Sequence, residues 1–219
     1  MRLCCLTFLL VSLALPSTVF AQPVAADDTG VAIEDQATPL TIDLVANDTG
    51  GDPADPTTVD LDLSTPGEQK TLSLTEGSVS VGSDGVLSYT PAADFSGAVI
   101  LSYSVKNAAL VESAPAAINI TVDPENDAPT IGAIGNTSVN QDASTPPIPV
   151  TIGDVDDLPG DLTIVAVSSN ATLIPPSGFA YGGSGANRTI VITPAAGLSG
   201  NATITVTVSD GDLSADETF

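Results

Sequence analysis

Oxygen-bearing side chains gather in two short stretches that could bind a cation. In Val122–Pro129, three carboxylates and one amide lie close to two prolines, and no basic residue occurs. The four polar residues are Asp123, Glu125, Asn126 and Asp127. The second stretch is Asp154-Val155-Asp156. If it is extended, its two carboxylates point to one side, because side chains two positions apart share a face.

Such a ligand set suits calcium, which takes about six to eight oxygens at about 2.3–2.6 Å. A carboxylate of the first stretch placed opposite Asp154 and Asp156 would complete a cluster that otherwise repels itself. We therefore predict at least one bound Ca²⁺ ion. The alternative is structural, because Asp and Asn also favour turns through their own backbone contacts. Calorimetric titration with calcium separates the two interpretations.

Few other groups could carry chemistry. The sequence has no His and no Trp, and its two cysteines, Cys4 and Cys5, lie in the first 21 residues. A Ser-His-Asp or Cys-His nucleophile and a His-ligated zinc are therefore excluded. A mature chain without these residues has no disulfide and depends on burial or bound metal for stability. We expect no enzymatic activity.

The first 21 residues have the pattern of a secretory signal peptide. Arg2 supplies a positive charge, Leu3–Pro16 is largely apolar, and Val19-Phe20-Ala21 has the small-x-small form of a cleavage site. An N-terminal membrane anchor is the alternative, but the apolar stretch is short for a membrane span. We predict a secreted or cell-surface protein whose mature chain does not insert into a membrane.

Net charge restricts the partners. The chain has 27 acidic and 4 basic residues, and removal of Arg2 leaves 3 minus 27, or −24, for the mature form. Such a chain repels nucleic acid phosphates and anionic lipid head groups, so neither is an expected partner. It attracts cations. A surface adapted to salty water would have the same composition.

Short alternating apolar runs position these groups. Four of them are Pro39–Val45, Gly85–Pro91, Ala98–Val105 and Ala117–Val122, and together they are rich in Val, Ile and Thr. No period of 3.6 residues is sustained, and Gly, Pro, Asn and Asp separate the runs. This pattern predicts an all-β chain built from antiparallel β-sandwiches.

A repeat divides the chain into two such sandwiches. Leu87–Gly97 aligns with Ile190–Gly200 at an offset of 103 residues, which is a typical length for a sandwich domain. We predict one domain over residues 22–124 and a second over residues 125–219. Val122–Pro129 then lies at the joint between them.

Extending this alignment without gaps sets Phe219 against Ala116. The second domain is therefore expected to lack an equivalent of Ile118–Val122, the last strand of the first domain. Three inward apolar side chains at about 1.5–3 kcal/mol each amount to the stability of a small domain. We expect the chain to be a fragment of a longer protein with further repeats. Alternatively, the second domain borrows a strand from a partner.

Several short motifs follow one another between residues 23 and 129. They are Ala25–Asp28, Glu34-Asp35, Ile42–Asp48, Leu87–Gly97 and Asn126–Pro129. Their order resembles the bacterial cadherin-like, Ig-like tandem repeats (the tandem-95 type) of large surface and secreted proteins. The second domain, with Ser168–Leu173 and Gly183–Thr189, resembles a related Ig-like repeat.

The resemblance implies calcium at the joint between modules and a set of ligands. Asp123, Asn126 and Asp127 match the linker motif of the family, and Glu34 lies near the acidic residue that follows its first strand. Asp154-Val155-Asp156 resembles the Asp-x-Asp element of the next module. No Asp-Arg-Glu element occurs in the first domain, and Lys106–Ala108 stands where the second domain has Ser209-Asp210-Gly211. A full set of three calcium ions is therefore not expected.

Two other acidic groups are not expected to bind metal. Asp27, Asp28 and Asp35 resemble half of a site that a preceding module would complete, so we expect them to be vestigial or solvated. Asp48 lies in a loop with Asp52 and Asp55, whose spacing does not fit an EF-hand.

Three functions fit the sequence. The first is a non-catalytic extracellular repeat that serves as a stalk or adhesion segment of a larger protein, stiffened by calcium at the joint. The second is a carbohydrate- or matrix-binding pair, against which the lack of Trp counts. The third is the N-terminal accessory region of a secreted hydrolase. Expected partners are a cell-surface, matrix or glycan ligand and further repeats of the same chain.

Overall fold

Fifteen short strands and one 3₁₀ turn form the secondary structure of residues 20–219, the part of the chain that the computed structural model describes. The all-β prediction is confirmed. The chain divides into two units between Pro124 and Glu125. The predicted signal peptide lies, up to residue 19, outside the described residues. Within those residues, no helix is both long and apolar enough to cross a membrane.

The first domain contains two four-stranded sheets. Its strands are β1 (Asp28–Ile33), β2 (Leu40–Asp43), β3 (Ala54–Asp60), β4 (Thr71–Leu74), β5 (Gly77–Val81), β6 (Val86–Pro91), β7 (Gly97–Asn107) and β8 (Ala116–Asp123). One sheet has the order β1-β8-β7-β3 and the other the order β2-β6-β5-β4. All pairs are antiparallel except β1 with β8, which run parallel from Asp28 opposite Ile118 to Ile33 opposite Asp123.

Alternation along the strands builds the core of this domain. In β8, Ile118, Ile120 and Val122 are buried while the residues between them are exposed. They pack in one cluster with Leu87 and Tyr103, both fully buried. Each such side chain stabilises the fold by about 1.5–3 kcal/mol. The strand predicted over Ala117–Val122 is therefore present and faces the core as expected.

The second domain contains a four-stranded and a three-stranded sheet. Its elements are β9 (Thr130–Ile131), β10 (Ile148–Gly153), β11 (Thr163–Ser168), a 3₁₀ turn (Pro176–Gly178), β12 (Phe179–Ser184), β13 (Asn187–Ile192), β14 (Ile204–Ser209) and β15 (Ser214–Thr218). The orders are β12-β13-β10-β9 and β11-β14-β15, all antiparallel. Ile190 and Val206 are fully buried in its own core.

The expectation that the second domain lacks a closing strand needs a correction. β15 pairs along β14 from Ser214 opposite Ser209 to Thr218 opposite Thr205, as β8 pairs with β7 in the first domain. The connection between the two strands is residues 210–213 here and residues 108–115 in the first domain. The shorter turn brings the closing strand forward in the sequence, so a gapless alignment misplaces it. β15 is also shorter, at five residues against eight for β8.

Candidate metal centre

Two turns of the second domain bring three carboxylates together. Asp154 and Asp157 follow the end of β10, and Asp210 lies in the turn between β14 and β15. One carboxylate oxygen of each lies within 4.8 Å of the others, and all three side chains are half-buried. β10 and β14 belong to different sheets, so the cluster joins loops from both layers of the sandwich.

Asp154 organises the first of these turns. Its Oδ1 accepts hydrogen bonds from the backbone N–H groups of Asp156 (2.9 Å) and Asp157 (3.1 Å). The segment is therefore an Asx-type turn and not the extended strand that we expected from the spacing of Asp154 and Asp156. In the turn, Asp157 rather than Asp156 joins Asp154 and Asp210.

The other oxygen of Asp154 is buried and has no hydrogen-bond partner among residues 20–219. A buried carboxylate oxygen without a donor loses hydration and gains nothing in return. A cation at this point would compensate for that loss. The donor set around it consists of carboxylates and amides, which suits calcium and not a soft transition metal.

The start of the domain is fixed to the same turns. Asn126 Nδ2 donates to Asp210 Oδ2 at 3.0 Å, and the backbone N–H of Asp127 donates to Asp156 Oδ2 at 2.8 Å. Carboxylate oxygens of Asp127 and Asp156 lie within 4.8 Å of each other. The four predicted ligands of the second domain are therefore linked by contacts: Asn126 bonds to Asp210, Asp127 bonds to Asp156, and Asp156 bonds to Asp154, which lies beside Asp210.

The electrostatics of the cluster are those of crowded negative charge. Burial first, and then the charges of Asp154 and Asp210, raise the pKa of Asp157 above its ordinary value. The hydrogen bond from Asn126, with backbone donors at Leu213 and Asp212, lowers the pKa of Asp210. Arg188 is the only basic residue of residues 125–219. Its guanidinium donates hydrogen bonds to the carbonyl groups of Pro159, Gly160 and Gly185.

The two remaining predicted ligands lie in the first domain. Glu34 follows β1, and its backbone N–H donates to the carbonyl of Asp123 at 3.1 Å, which continues the pairing of β1 with β8. The structure thus places Glu34 and Asp123 side by side. Their metal-binding role stays a prediction.

The sequence did not lead us to predict Asp157 and Asp210 as candidate ligands. Both had a signal in the sequence, since Asp157 extends an acidic run from Asp154 and Asp210 lies in a Ser-Asp-Gly turn. Neither signal shows that loops 53 residues apart in the chain meet.

Comparisons with known proteins agree with this architecture. Residues 21–124 match the family described as bacterial cadherin-like domain, and residues 126–219 match the family described as bacterial Ig domain. No curated protein matches the chain in sequence.

One solved structure with a TM-score of 0.50 shows the same fold, and others are similar at lower scores. Protocadherin gamma B2 extracellular cadherin domains 3–6 are 14% identical with a TM-score of 0.50, covering 91% of this chain and 46% of that chain. The human desmocollin-1 ectodomain is 12% identical with a TM-score of 0.45, covering 90% and 36%. An endo-fucoidan hydrolase from glycoside hydrolase family 107 is 16% identical with a TM-score of 0.35, covering 94% and 29%.

The resemblance stated from the sequence motifs is therefore confirmed. The chain thus consists of a region that matches the bacterial cadherin-like domain, followed by a region that matches the bacterial Ig domain.

Proposed function

We propose that this chain is a non-catalytic extracellular repeat segment, a stalk or adhesion element of a larger secreted or surface protein. Support comes from the two families, which are typical of extracellular proteins. The absence of His and mature Cys from the sequence agrees with a non-catalytic role. Its partners are a cell-surface, matrix or glycan ligand and further repeats of the same chain.

Calcium is the proposed ligand of the second domain. The observation that carries this proposal is the buried Oδ2 of Asp154, which has no hydrogen-bond partner among residues 20–219, in a residue whose carboxylate lies within 4.8 Å of those of Asp157 and Asp210. Asn126 and Asp127 contact the same turns, so an ion there would hold the first residues of the domain to its loops. Calcium then stiffens the beginning of the Ig domain.

Calorimetric titration of the mature chain with Ca²⁺ tests this proposal. Asp154→Asn keeps the shape of the side chain and removes one charged ligand, so we expect binding at this site to weaken at least tenfold. Asp216→Asn is the matched control, because Asp216 is exposed on β15 in the same domain. Equal calcium affinity for the two variants would refute the site.

Hydrogen exchange gives a second measurement on the same proposal. The backbone N–H of Asp127 donates to Asp156, one of the proposed ligand residues. Calcium should slow exchange of this amide in the wild type and leave it unchanged in Asp154→Asn. Equal exchange rates of the Asp127 amide in calcium and in chelator would contradict the proposed stiffening.

A further inference from the structure

A second group of buried oxygens lies in the first domain, far along the chain from the cluster just described. Asp28, at the start of β1, is only 6% exposed, and its Oδ2 has no hydrogen-bond partner among residues 20–219. Asp48, in the loop after β2, also has a buried Oδ2 without a partner in that part of the chain. The negative charge of Asp48 acts on Asp28, and both carboxylates lie beside the hydroxyl of Tyr103.

The Tyr103 hydroxyl has more acceptors than it can satisfy. It lies 2.6 Å from the carbonyl of Leu44, 3.1 Å from the carbonyl of Ala26 and 3.2 Å from Asp48 Oδ1. A phenol has one hydrogen to donate. If it donates to Leu44, the nearest acceptor, the other two oxygens face the lone pairs of the phenolic oxygen. Tyr103 is fully buried on β7, so it is held in this position by the core.

Protein donors compensate only in part: burial raises the pKa of Asp28 by more than the hydrogen bonds from Tyr103 and Asn47 lower it. The backbone N–H of Ala26 donates to Asp48 Oδ1 at 2.9 Å, and Asn47 Nδ2 donates to the carbonyl of Asp27 at 3.1 Å. The two ion pairs found within residues 20–219 both use Glu68, with Lys70 at 3.9 Å and Lys106 at 3.1 Å. These two lysines are the only basic residues between residues 22 and 124. Asp28 and Asp48 thus have no basic partner in an ion pair of the described chain.

We propose that Asp28 and Asp48 bind a hard divalent cation, calcium by the chemistry of the donors, inside the first domain. Two carboxylates neutralise a divalent charge, and the Ala26 carbonyl and Tyr103 hydroxyl oxygens contribute neutral oxygen atoms beside them. Calcium accepts carboxylate and carbonyl oxygens in irregular geometry, which fits a set drawn from the start of β1, the loop after β2 and strand β7. The site uses residues of the first domain alone. It is therefore independent of the calcium site proposed for the second domain.

Calorimetry on the mature full-length chain tests the site with Ca²⁺ as the only added ligand. Asp28→Asn and Asp48→Asn should each remove one equivalent of bound calcium, or weaken it at least tenfold. Asp84→Asn, an exposed residue in the turn between β5 and β6 of the same domain, should leave binding unchanged. Circular dichroism in chelator verifies that each variant folds. Full calcium stoichiometry and affinity in both Asp28→Asn and Asp48→Asn would overturn the site.

Terbium luminescence gives a readout specific to the proposed site at Asp28 and Asp48. The sequence has no Trp and three Tyr, so tyrosine is the only strong donor for sensitised emission from bound Tb³⁺. Emission should fall in Asp28→Asn and in Tyr103→Phe but not in Asp84→Asn. Emission unchanged by both substitutions places the ion elsewhere and contradicts the proposal.

The two calcium proposals fail separately. Loss of an equivalent in Asp28→Asn with none lost in Asp154→Asn refutes only the second-domain site. The reverse result refutes only the Asp28 and Asp48 site. If Asp28 and Asp48 share a proton and bind no metal, Asp28→Asn leaves the calcium stoichiometry unchanged, and the wild-type pair takes up a proton at neutral pH. That outcome also contradicts the proposed cation site.

Discussion

In chelator, Asp28 should make the first domain less stable as the pH rises from about 4 to about 6. Burial, the largest effect, and the charge of Asp48 raise the pKa of Asp28 from its ordinary value of 3.8 to about 6 in the folded chain. The folded state therefore holds a proton that the unfolded chain has already released in this range. The stabilisation is complete below pH about 4 and is lost as the pH passes the folded pKa.

The size of the effect follows from the shift. Two pKa units correspond to roughly 3 kcal/mol in the free energy of unfolding. Solvent near the loop of Asp48 screens part of the repulsion, so we expect about 1–2 kcal/mol. Asp28→Asn removes the titrating group with nearly the same shape. In chelator at pH 7 this variant should be more stable than the wild type by about that amount, and near pH 4 the difference should vanish.

Urea unfolding in chelator at several pH values measures this difference. A Tyr181→Phe background leaves Tyr89 and Tyr103, both in the first domain, as the tyrosine fluorophores. Other carboxylates titrate in the same pH range. The quantity to follow is therefore the free energy of unfolding of the variant minus that of the wild type. Asp84→Asn supplies the control and should give a flat difference. A difference for Asp28→Asn that is equally flat between pH 4 and pH 7 would refute the reasoning.

Two further predictions concern the independence of the domains and the leader. Leu87→Ala and Ile190→Ala each empty a fully buried position, one in each core, at an expected cost of about 2–5 kcal/mol. In calorimetry each should lower one unfolding transition by roughly 8 °C or more and leave the other in place; equal shifts of both transitions would contradict separate cores. Expression of the whole sequence in a bacterium with a general secretory pathway should release a chain that begins at Gln22. N-terminal sequencing checks this, and an intact Met1 terminus would count against the signal peptide.

The fold was largely predictable because each strand shows its buried face locally. The run Gly85–Pro91 corresponds to β6, and Ala98–Val105 lies within β7. Alternation of apolar and polar side chains needs no knowledge of distant residues. The closing strand of the second domain was wrongly expected to be absent, because the length of the turn before it is not encoded in the strands that the turn joins.

The sites were less predictable because they depend on contacts between distant residues. The acids of the 154–157 turn were visible, but the Asx-type hydrogen bonds of Asp154 rotate the chain so that Asp157 replaces Asp156 beside Asp210. Asp28 was expected to be vestigial or solvated, and Asp48 was noted only as not fitting an EF-hand. Asp28 is buried and Asp48 is half-buried, and both lie beside the hydroxyl of Tyr103, which is 55 residues beyond Asp48.

The parallel pairing of β1 with β8 determines how the first domain carries tension. Because the two strands run in the same direction, the chain enters the domain at the Asp28 end and leaves at the Asp123 end of the pair. A pull on the two ends slides β1 along β8 and loads all six register pairs, from Asp28 opposite Ile118 to Ile33 opposite Asp123, at the same moment. Hydrogen bonds loaded together in shear resist more force than hydrogen bonds opened one after another, so we expect this domain to unfold only at a high pulling force.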